Sequence, residues 1–157
     1  MTDSLEFRPY QSSDATDFKT LNVEWLETYF EVELYDELVL SNPKNEIIDQ
    51  GGSIFMVLLE GKSIGTFAFI KKGEGLYEFS KMAVTPKERG KGYGNLMMQF
   101  AINYAKQHHW RSLILYSSTI LENSIYLYSK YGFKEVPIDP GIKYARGNIK
   151  MELILSA

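Results

Sequence analysis

Cysteine is absent from the 157 residues of the chain, which excludes disulfides, thiolate metal sites and a covalent intermediate on a cysteine. No apolar run approaches the roughly 20 residues that a membrane-spanning helix needs. The first ten residues, MTDSLEFRPY, have neither the basic nor the apolar segment of a secretory signal. His108 and His109 have no third ligand in the pattern, so no metal is expected. These absences predict a cytoplasmic protein with no membrane partner.

Acidic and basic side chains are distributed unevenly along the chain. Residues 1–50 carry 12 acidic and three basic side chains, a net charge of −9, whereas residues 51–157 carry eight acidic and 14 basic ones, a net charge of +6. The positive residues cluster around a glycine-containing loop rather than along one helix face. This distribution argues against a nucleic-acid partner, which needs a basic patch or stripe, and favours a small phosphorylated ligand.

Hydrophobic patterning predicts one domain over residues 1–157 with a mixed α/β fold. Short apolar runs separated by turn residues predict strands at 5–8, 54–59, 64–70, 77–84, 112–117, 133–136 and 143–155. Because a helix connects strand 77–84 to strand 112–117, these two are expected to be parallel. The remaining pairs make a mostly antiparallel sheet of six to seven strands with helices on both faces.

Four helices are expected between these strands. The first has its N-cap at Ser13–Asp14, the second covers 35–40, the third begins near Gly94 or Asn95, and the fourth covers 123–130. The third helix is predicted to bury a face with a spacing of four residues, formed by Leu96, Phe100 and Tyr104 with Met97 and Ala101 beside them.

The segment Arg89-Gly90-Lys91-Gly92-Tyr93-Gly94 lies between a predicted strand and a predicted helix. Its glycines let backbone N–H groups approach an anion without a Cβ in the way. The helix N-terminus that follows adds further donors and a favourable dipole. The patterns of a P-loop and of a dinucleotide-binding fingerprint are both absent. The glycines alone are equally compatible with an ordinary turn.

This loop resembles the Arg/Gln-x-x-Gly-x-Gly/Ala motif of the GNAT superfamily of N-acetyltransferases. About thirty residues downstream, the segment 123–133, NSIYLYSKYGF, is similar to the Asn…Leu-Tyr…Gly-Phe segment of that family. The resemblance covers residues 54–136. It implies the GNAT fold of a small single-domain member, with the fourth and fifth strands splayed apart.

The resemblance also implies acetyl-CoA as a co-substrate, held largely by backbone groups. The pyrophosphate would be bound by the amides of Arg89, Gly90, Lys91, Gly92, Tyr93, Gly94 and Asn95. The pantetheine arm would pair with the backbone of Met82, Ala83 and Val84 as if it were a further strand, and Asn123 would reach the cofactor as well.

Two catalytic residues follow from the resemblance. Tyr128 occupies the position of the general acid that protonates the departing thiolate, and a phenol with an ordinary pKa of ~10 keeps its proton at neutral pH. A packed aromatic stripe is the alternative reading of Tyr128. Glu78, four residues before Met82 and expected on the same face, would be the base that deprotonates the amine. An exposed strand glutamate is the alternative.

The acceptor site is less well indicated. In this family, the segment after the first strand builds one wall of the acceptor cleft, and here it contains Trp25 and Tyr29 among acidic residues. Those acids favour a cationic amine, and an ordinary solvated acidic helix face is the alternative. Ser117 would hydrogen-bond a water or the acceptor. Arg146, expected on the last strand, would instead bind a carboxylate and favour an amino-acid acceptor.

The predicted activity is therefore acetyl transfer to a primary amine of a small molecule or peptide, directly within a ternary complex. A non-catalytic domain that binds or senses acyl-CoA is the alternative. Paired domains are frequent in this family, so a homodimer is left open.

Overall fold

The computed structural model describes residues 5–140 and 146–155. Its residues group into two compact units, the first formed by 5–70 and 80–91 and the second by 71–79, 92–140 and 146–155. The single domain expected over residues 1–157 stays a prediction. Within the described ranges, no helix is long and apolar enough to cross a membrane.

The described residues form seven strands in one sheet with the order β1-β2-β3-β4-β5-β7-β6. The strands are β1 (Leu5–Pro9), β2 (Ser53–Leu59), β3 (Lys62–Gly73), β4 (Leu76–Val84), β5 (Ser112–Ser117), β6 (Lys134–Val136) and β7 (Ile149–Ile154). β4 and β5 are parallel, whereas β1–β2, β2–β3, β5–β7 and β6–β7 are antiparallel. The predicted fold class is confirmed.

Helices and short helical turns connect the strands. The α-helices in this part of the chain are α1 (Ala15–Tyr29), α2 (Leu34–Ser41), α3 (Tyr93–Gln107) and α4 (Glu122–Lys130). The short turns are the 3₁₀ turns Ser12–Asp14 and Pro86–Glu88 and the π-helical turn Lys44–Ile48. All four predicted helices are present, and α4 ends before Gly132, whose φ is +99°, as expected of a glycine after a helix C-terminus.

The core of the first unit joins α1 and α2 to β2 and β3. Phe18, Leu40 and Met56 are at most 1% exposed and belong to one cluster of buried apolar side chains. The aromatic rings of Phe55 and Phe67, which are cross-strand partners in β2 and β3, stack 5.6 Å apart. Consecutive residues are buried at 54–58 in β2 and at 64–69 in β3, which explains why these segments are almost entirely apolar.

The N-cap of α1 lies where it was predicted, but its side chain has a different role. Asp14 stands at the N-cap position, but its side chain does not cap α1. Its carboxylate instead accepts hydrogen bonds from the Arg8 guanidinium at 2.9 and 3.0 Å and from the Gln11 amide at 2.8 Å. The Arg8 hydrogen bonds hold the pKa of Asp14 below its ordinary value although burial acts in the opposite direction. The residue therefore fixes β1 to the segment before α1.

The buried face of α3 in the second unit is not the predicted one. Met97, Ala101 and Ala105 are fully buried at a spacing of four, with Met98 and Ile102 beside them. Leu96 is 39% exposed. Phe100 and Tyr104 are only partly buried. The prediction for this face is therefore wrong. The physical reason is that small residues in the buried stripe allow closer packing than the aromatic stripe would.

The last strand is also shorter than predicted. β7 begins at Ile149, and Arg146 lies in a turn before it rather than in a strand. Residues 143–145 of the predicted strand lie outside the described residues. β6, which pairs with β7 at the edge of the sheet, begins at Lys134, one residue after the predicted start at Phe133.

Replacing Gly52 by alanine should destabilise the first unit. An added Cβ would lie 2.3 Å from the Phe69 carbonyl oxygen and 2.9 Å from the Ile47 carbonyl oxygen, and such overpacking typically costs about 1–3 kcal/mol. We expect Tm to fall by roughly 2–4 °C for each kcal/mol. Gly73→Ala is the control, because nothing lies within 4 Å of its added Cβ. Equal Tm values for the two variants would contradict the expectation.

Candidate functional site

The loop after β4 is built around two glycines with positive φ. A 3₁₀ turn, Pro86–Glu88, follows β4, and the Thr85 amide donates to the Ile64 carbonyl at 2.8 Å. Gly90 and Gly92 have φ values of +77° and +84°, a conformation that side chains with a Cβ rarely adopt. No heavy atom lies within 4 Å of an added Cβ at either position. The loop therefore presents its backbone to open space.

Gly92 is also the N-cap residue of α3, which begins at Tyr93. No side chain caps this N-terminus among the described residues, and the first-turn N–H groups of a helix lack intrahelical partners. The Asn95 amide has a partner, since it donates to the Gly92 carbonyl at 3.2 Å. The Asn95 side chain binds Lys130 and Tyr131 of the α4 region. These features suit an anion at the start of α3.

The Arg89 side chain adds positive charge in the first unit. Its Nε donates to the Val84 carbonyl at 2.8 Å, and its guanidinium carbon lies 5.9 Å from the centre of the Tyr29 ring. Its buried Nη2 has no hydrogen-bond partner among the described residues. A buried donor of this kind normally has a partner, so an anionic ligand group would satisfy it. Lys91, another cation of the loop, pairs with Glu88 at 2.8 Å.

β4 contains one residue with irregular backbone conformation immediately before the predicted pantetheine segment. Lys81 has a φ of +56°, which is uncommon for a residue with a side chain. Side chains alternate between the two faces only along an unbroken strand. The spacing of four therefore no longer assigns Glu78 and Met82 to one face, and that step of the sequence prediction is not supported.

Glu78 lies in β4 opposite Ile114 of β5 and is 8% exposed. One of its carboxylate oxygens is 3.8 Å from the Lys72 ammonium group on β3. Buried carboxylates are uncommon unless they are paired. The exposed strand glutamate considered from the sequence is therefore wrong, because this side chain is buried and has a counter-ion.

A second polar cluster surrounds Tyr116 of β5. Tyr116 donates a short hydrogen bond to Asp139, and the Lys150 ammonium group contacts both Asp139 oxygens at 3.1 and 3.0 Å. Burial, the bond to Asp139 and the charges of Asp139 and Glu78 raise the pKa of Tyr116. The hydrogen bonds from Tyr116 and Lys150 lower the pKa of Asp139. Tyr116 therefore keeps its proton at neutral pH.

Tyr128 lies on α4 and is partly exposed as a residue. Burial around its hydroxyl group raises its pKa to about 12, while a hydrogen bond with Ser124 acts in the opposite direction. Its ring lies 6.1 Å from that of Phe133 in a tilted arrangement. The phenol is a proton-bearing donor throughout the physiological pH range.

The remaining predicted residues lie in several environments. Trp25 packs against the core of the first unit and against the Tyr29 and Phe30 rings, whereas Tyr29 is 45% exposed. Ser117 is partly buried at the end of β5, and its carbonyl accepts from the Asn148 amide. Asn123 is exposed on α4.

In the described part of the chain, no group of three or more His, Asp or Glu side chains is arranged to hold a metal ion.

Comparison with known proteins assigns the family. The family model described as "Acetyltransferase (GNAT) domain" matches residues 50–135, which include the glycine loop, Glu78 and Tyr128. The chain belongs to the GNAT acetyltransferase family. Members of this family use acetyl-CoA as the donor. The residues fit that ligand, because an added Cβ at Gly90 or Gly92 would meet open space and the buried Nη2 of Arg89 has no hydrogen-bond partner among the described residues.

One sequence relative of the chain is much longer than the chain itself. N-acetylaspartate synthetase of Xenopus tropicalis is 30% identical over 101 residues, which are 63% of this chain and 37% of that protein. The chain therefore spans little more than a third of that relative.

Solved GNAT structures share the fold over almost the whole chain. A GNAT acetyltransferase from Staphylococcus aureus Mu50 has a TM-score of 0.85 and 17% identity, with 98% of this chain and 100% of the other covered. Spermidine N-acetyltransferase from Vibrio cholerae, in complex with CoA and spermine, has a TM-score of 0.72 and 20% identity, with coverages of 96% and 95%.

Several polar residues of the site were not found from the sequence. Lys72, Asp139 and Lys150 come from three different segments, so no local spacing connects them to Glu78 or Tyr116. The opposite charges of Lys72 and Glu78, on either side of a predicted turn, are the one signal that was available.

Proposed function

We propose that this chain transfers the acetyl group of acetyl-CoA to a primary amine of a small molecule or peptide. One observation carries the proposal of a CoA ligand: two glycines with positive φ lead directly into the uncapped N-terminus of α3. Backbone amides and the helix dipole at such a site favour a phosphate group. Family membership then selects acetyl transfer as the reaction.

In this proposal the donor is held largely by backbone groups. The amides of Gly90, Lys91, Gly92, Tyr93 and Gly94 contact the pyrophosphate. The amides of Arg89 and Asn95 are not assigned this role, because they donate to the Pro86 and Gly92 carbonyls at 3.3 and 3.2 Å. The Arg89 guanidinium contributes the unsatisfied Nη2. The β4 residues Met82, Ala83 and Val84 bind the pantetheine arm as an added strand, and Asn123 contacts the cofactor.

The proposed reaction is direct attack by the amine nitrogen on the thioester carbonyl carbon. The new N–C bond forms, the C–S bond breaks, and the sulfur leaves with the electron pair. The second proton of the attacking nitrogen is lost as the amide forms, and it passes to the departing thiolate or to solvent water. The chain has no cysteine, so the acetyl group is not carried on a cysteine thiol. Glu78 accepts the proton that an ammonium substrate must lose before it attacks, through water where its burial prevents direct contact.

Tyr128 stabilises the leaving sulfur in this scheme. A thiol has an ordinary pKa of ~8.5, so a phenol with a pKa of about 12 is the weaker acid by a margin worth roughly 5 kcal/mol. Complete proton transfer from Tyr128 is therefore uphill. Its main contribution is a hydrogen bond to the sulfur as negative charge develops, a narrower role than that of a full general acid.

The acidic surface of α1 and the segment after it supports a cationic acceptor. Glu24, Glu27 and Glu31 are exposed, whereas Glu37 is paired with Lys19 at 2.8 Å and the buried Asp36 accepts from the Glu33 amide. A structural neighbour of the chain was solved with spermine, which supports the same acceptor class. Trp25, Tyr29 and Ser117 are the proposed acceptor contacts.

An acceptor that carries a carboxylate is the second candidate. The sequence relative named N-acetylaspartate synthetase supports an amino-acid acceptor, and Arg146 is the residue proposed to bind its carboxylate. A non-catalytic domain that binds acyl-CoA remains the alternative to both, and it predicts binding of acetyl-CoA without transfer to any acceptor.

Transfer assays with acetyl-CoA and a panel of amines test the proposed function. We expect polyamines to give higher kcat/KM than neutral amines of similar size, with a preference that weakens as salt increases. Neutralising Glu24 and Glu27 together should reduce that preference, whereas Glu6→Gln, a change at an exposed site in β1, should not. CoA binding without transfer to any amine would support the sensing domain instead.

Tyr128→Phe should lower kcat by about 10²-fold or more, which is typical for loss of one hydrogen-bond donor to charge that develops in the transition state, with little change in CoA affinity. Tyr126→Phe is the matched control, since Tyr126 lies on the same helix and is 72% exposed. The pKa of Tyr128 is about 12. A basic limb at lower pH in the wild-type profile therefore comes from another group and should persist in the variant. An unchanged kcat would remove Tyr128 from the mechanism.

Glu78→Gln should lower kcat/KM and abolish the acid limb of its pH profile, because the glutamine cannot accept a proton. The control is Glu74→Gln, whose side chain is 95% exposed. Two acceptors with different amine pKa values should be compared, since a limb that belongs to Glu78 stays at the same pH for both. A limb that persists in Glu78→Gln would exclude this residue as the base.

A further inference from the structure

The turn between β3 and β4 carries two ion pairs with different environments. Lys72 and Glu78 are 3.8 Å apart, and the Glu78 side chain is 10% exposed. Lys71 and Glu74 are 3.4 Å apart, and the Glu74 side chain is 95% exposed. Adjacent lysines thus face one buried and one solvated carboxylate.

Burial determines how strongly each lysine acts on its partner. A pair in solvent is screened by water and salt, whereas a buried carboxylate feels a nearby charge at a much lower effective dielectric. Lys72 is 41% exposed, so its ammonium group stays hydrated while it acts on a carboxylate that is not. The charge of Lys72 should therefore influence Glu78 far more than the charge of Lys71 influences Glu74.

Other charged groups also face Glu78. From β5, the Tyr116 phenol is close enough for the Glu78 charge to act on its pKa. Asp139, in the segment after β6, is bound to Tyr116 and to Lys150 of β7. The Lys72 charge contributes to the low pKa of Asp139. Asp139 is compensated by Lys150, whereas Lys72 pairs directly with Glu78.

We propose that Lys72 is a positioning residue whose ammonium group sets the pH at which Glu78 begins to act as a base. This inference rests on the proposed role of Glu78 in proton removal. A nearby positive charge favours the carboxylate over the carboxylic acid, so Lys72 keeps Glu78 deprotonated to lower pH. Removal of that charge should move the acid limb of the kcat/KM profile to higher pH, because the Glu78 carboxylate would then take up a proton more easily.

The test compares pH profiles of kcat/KM for Lys72→Met, Lys72→Arg and Lys71→Met with a single amine acceptor and acetyl-CoA. Lys72→Met should move the acid limb upward by about one pH unit, the lower end of the effect of an opposite charge at this distance. Lys72→Arg keeps the charge and should restore the wild-type limb. Lys71→Met removes the same charge from the neighbouring residue and should leave the limb in place.

The outcomes separate this inference from the proposed base. An acid limb that disappears in Glu78→Gln but is unmoved in Lys72→Met overturns the role of Lys72 and leaves Glu78 as the base. A limb that persists in Glu78→Gln overturns both. Equal displacement by Lys72→Met and Lys71→Met would reveal a general charge effect and would also overturn the inference. A Tm for each variant within a few degrees of wild type, by thermal unfolding, excludes misfolding as the cause.

Discussion

Three residue pairs join β4 to β5 in parallel: Leu76 with Ser112, Tyr77 with Leu113, and Glu78 with Ile114. A parallel pair cannot be closed by a tight turn, so the chain between the two strands must leave the sheet and return through a crossover. The crossover here contains the loop with Gly90 and Gly92 and then α3. The N-terminus of α3 must therefore follow the carboxyl end of β4, where a backbone anion site is most easily made. The same pairing places Glu78 on β4 beside the strand that carries Tyr116.

The charged groups around Glu78 follow from the cost of burying a carboxylate. A buried carboxylate without a partner would take up a proton instead of remaining charged. The Lys72 ammonium group lies beside Glu78 and favours its charged form. The charge of Asp139 is compensated by Lys150, and its carboxylate accepts a hydrogen bond from the Tyr116 hydroxyl. The arrangement combines limited hydration with a retained negative charge. Those two properties together are what a proton acceptor for an ammonium substrate requires.

Much of the fold is encoded in local pattern, and the exceptions have identifiable physical causes. The strands and helices follow from hydrophobic period and turn residues, so the order of elements and the parallel pair were predictable. The buried face of α3 was not, because Leu96-Phe100-Tyr104 and Met97-Ala101-Ala105 have the same spacing. Hydrophobicity favours the larger residues in that choice, whereas close packing in the second unit selects the small ones.

The candidate site was predictable only where its residues belong to contiguous motifs. The glycine loop and Tyr128 are of this kind. The left-handed conformation of Lys81 was not foreseeable, because lysine has no preference for it, and it removes the face assignment that connected Glu78 to Met82. Lys72 and Asp139 act on the site from separate segments, through contacts that only the folded chain brings about.

The proposed acceptor preference depends on which acids of the first unit remain available to a ligand. Asp36 is buried in a helix-capping role, and Glu37 is engaged by Lys19 and Ser41. Glu24, Glu27 and Glu31 are exposed, where they contribute a negative field rather than one fixed ion pair. A field of that kind raises the local concentration of any cationic amine and decays over roughly 8 Å at physiological salt. It selects a class of acceptor by charge, whereas discrimination within the class requires directional contacts such as those proposed for Tyr29 and Ser117.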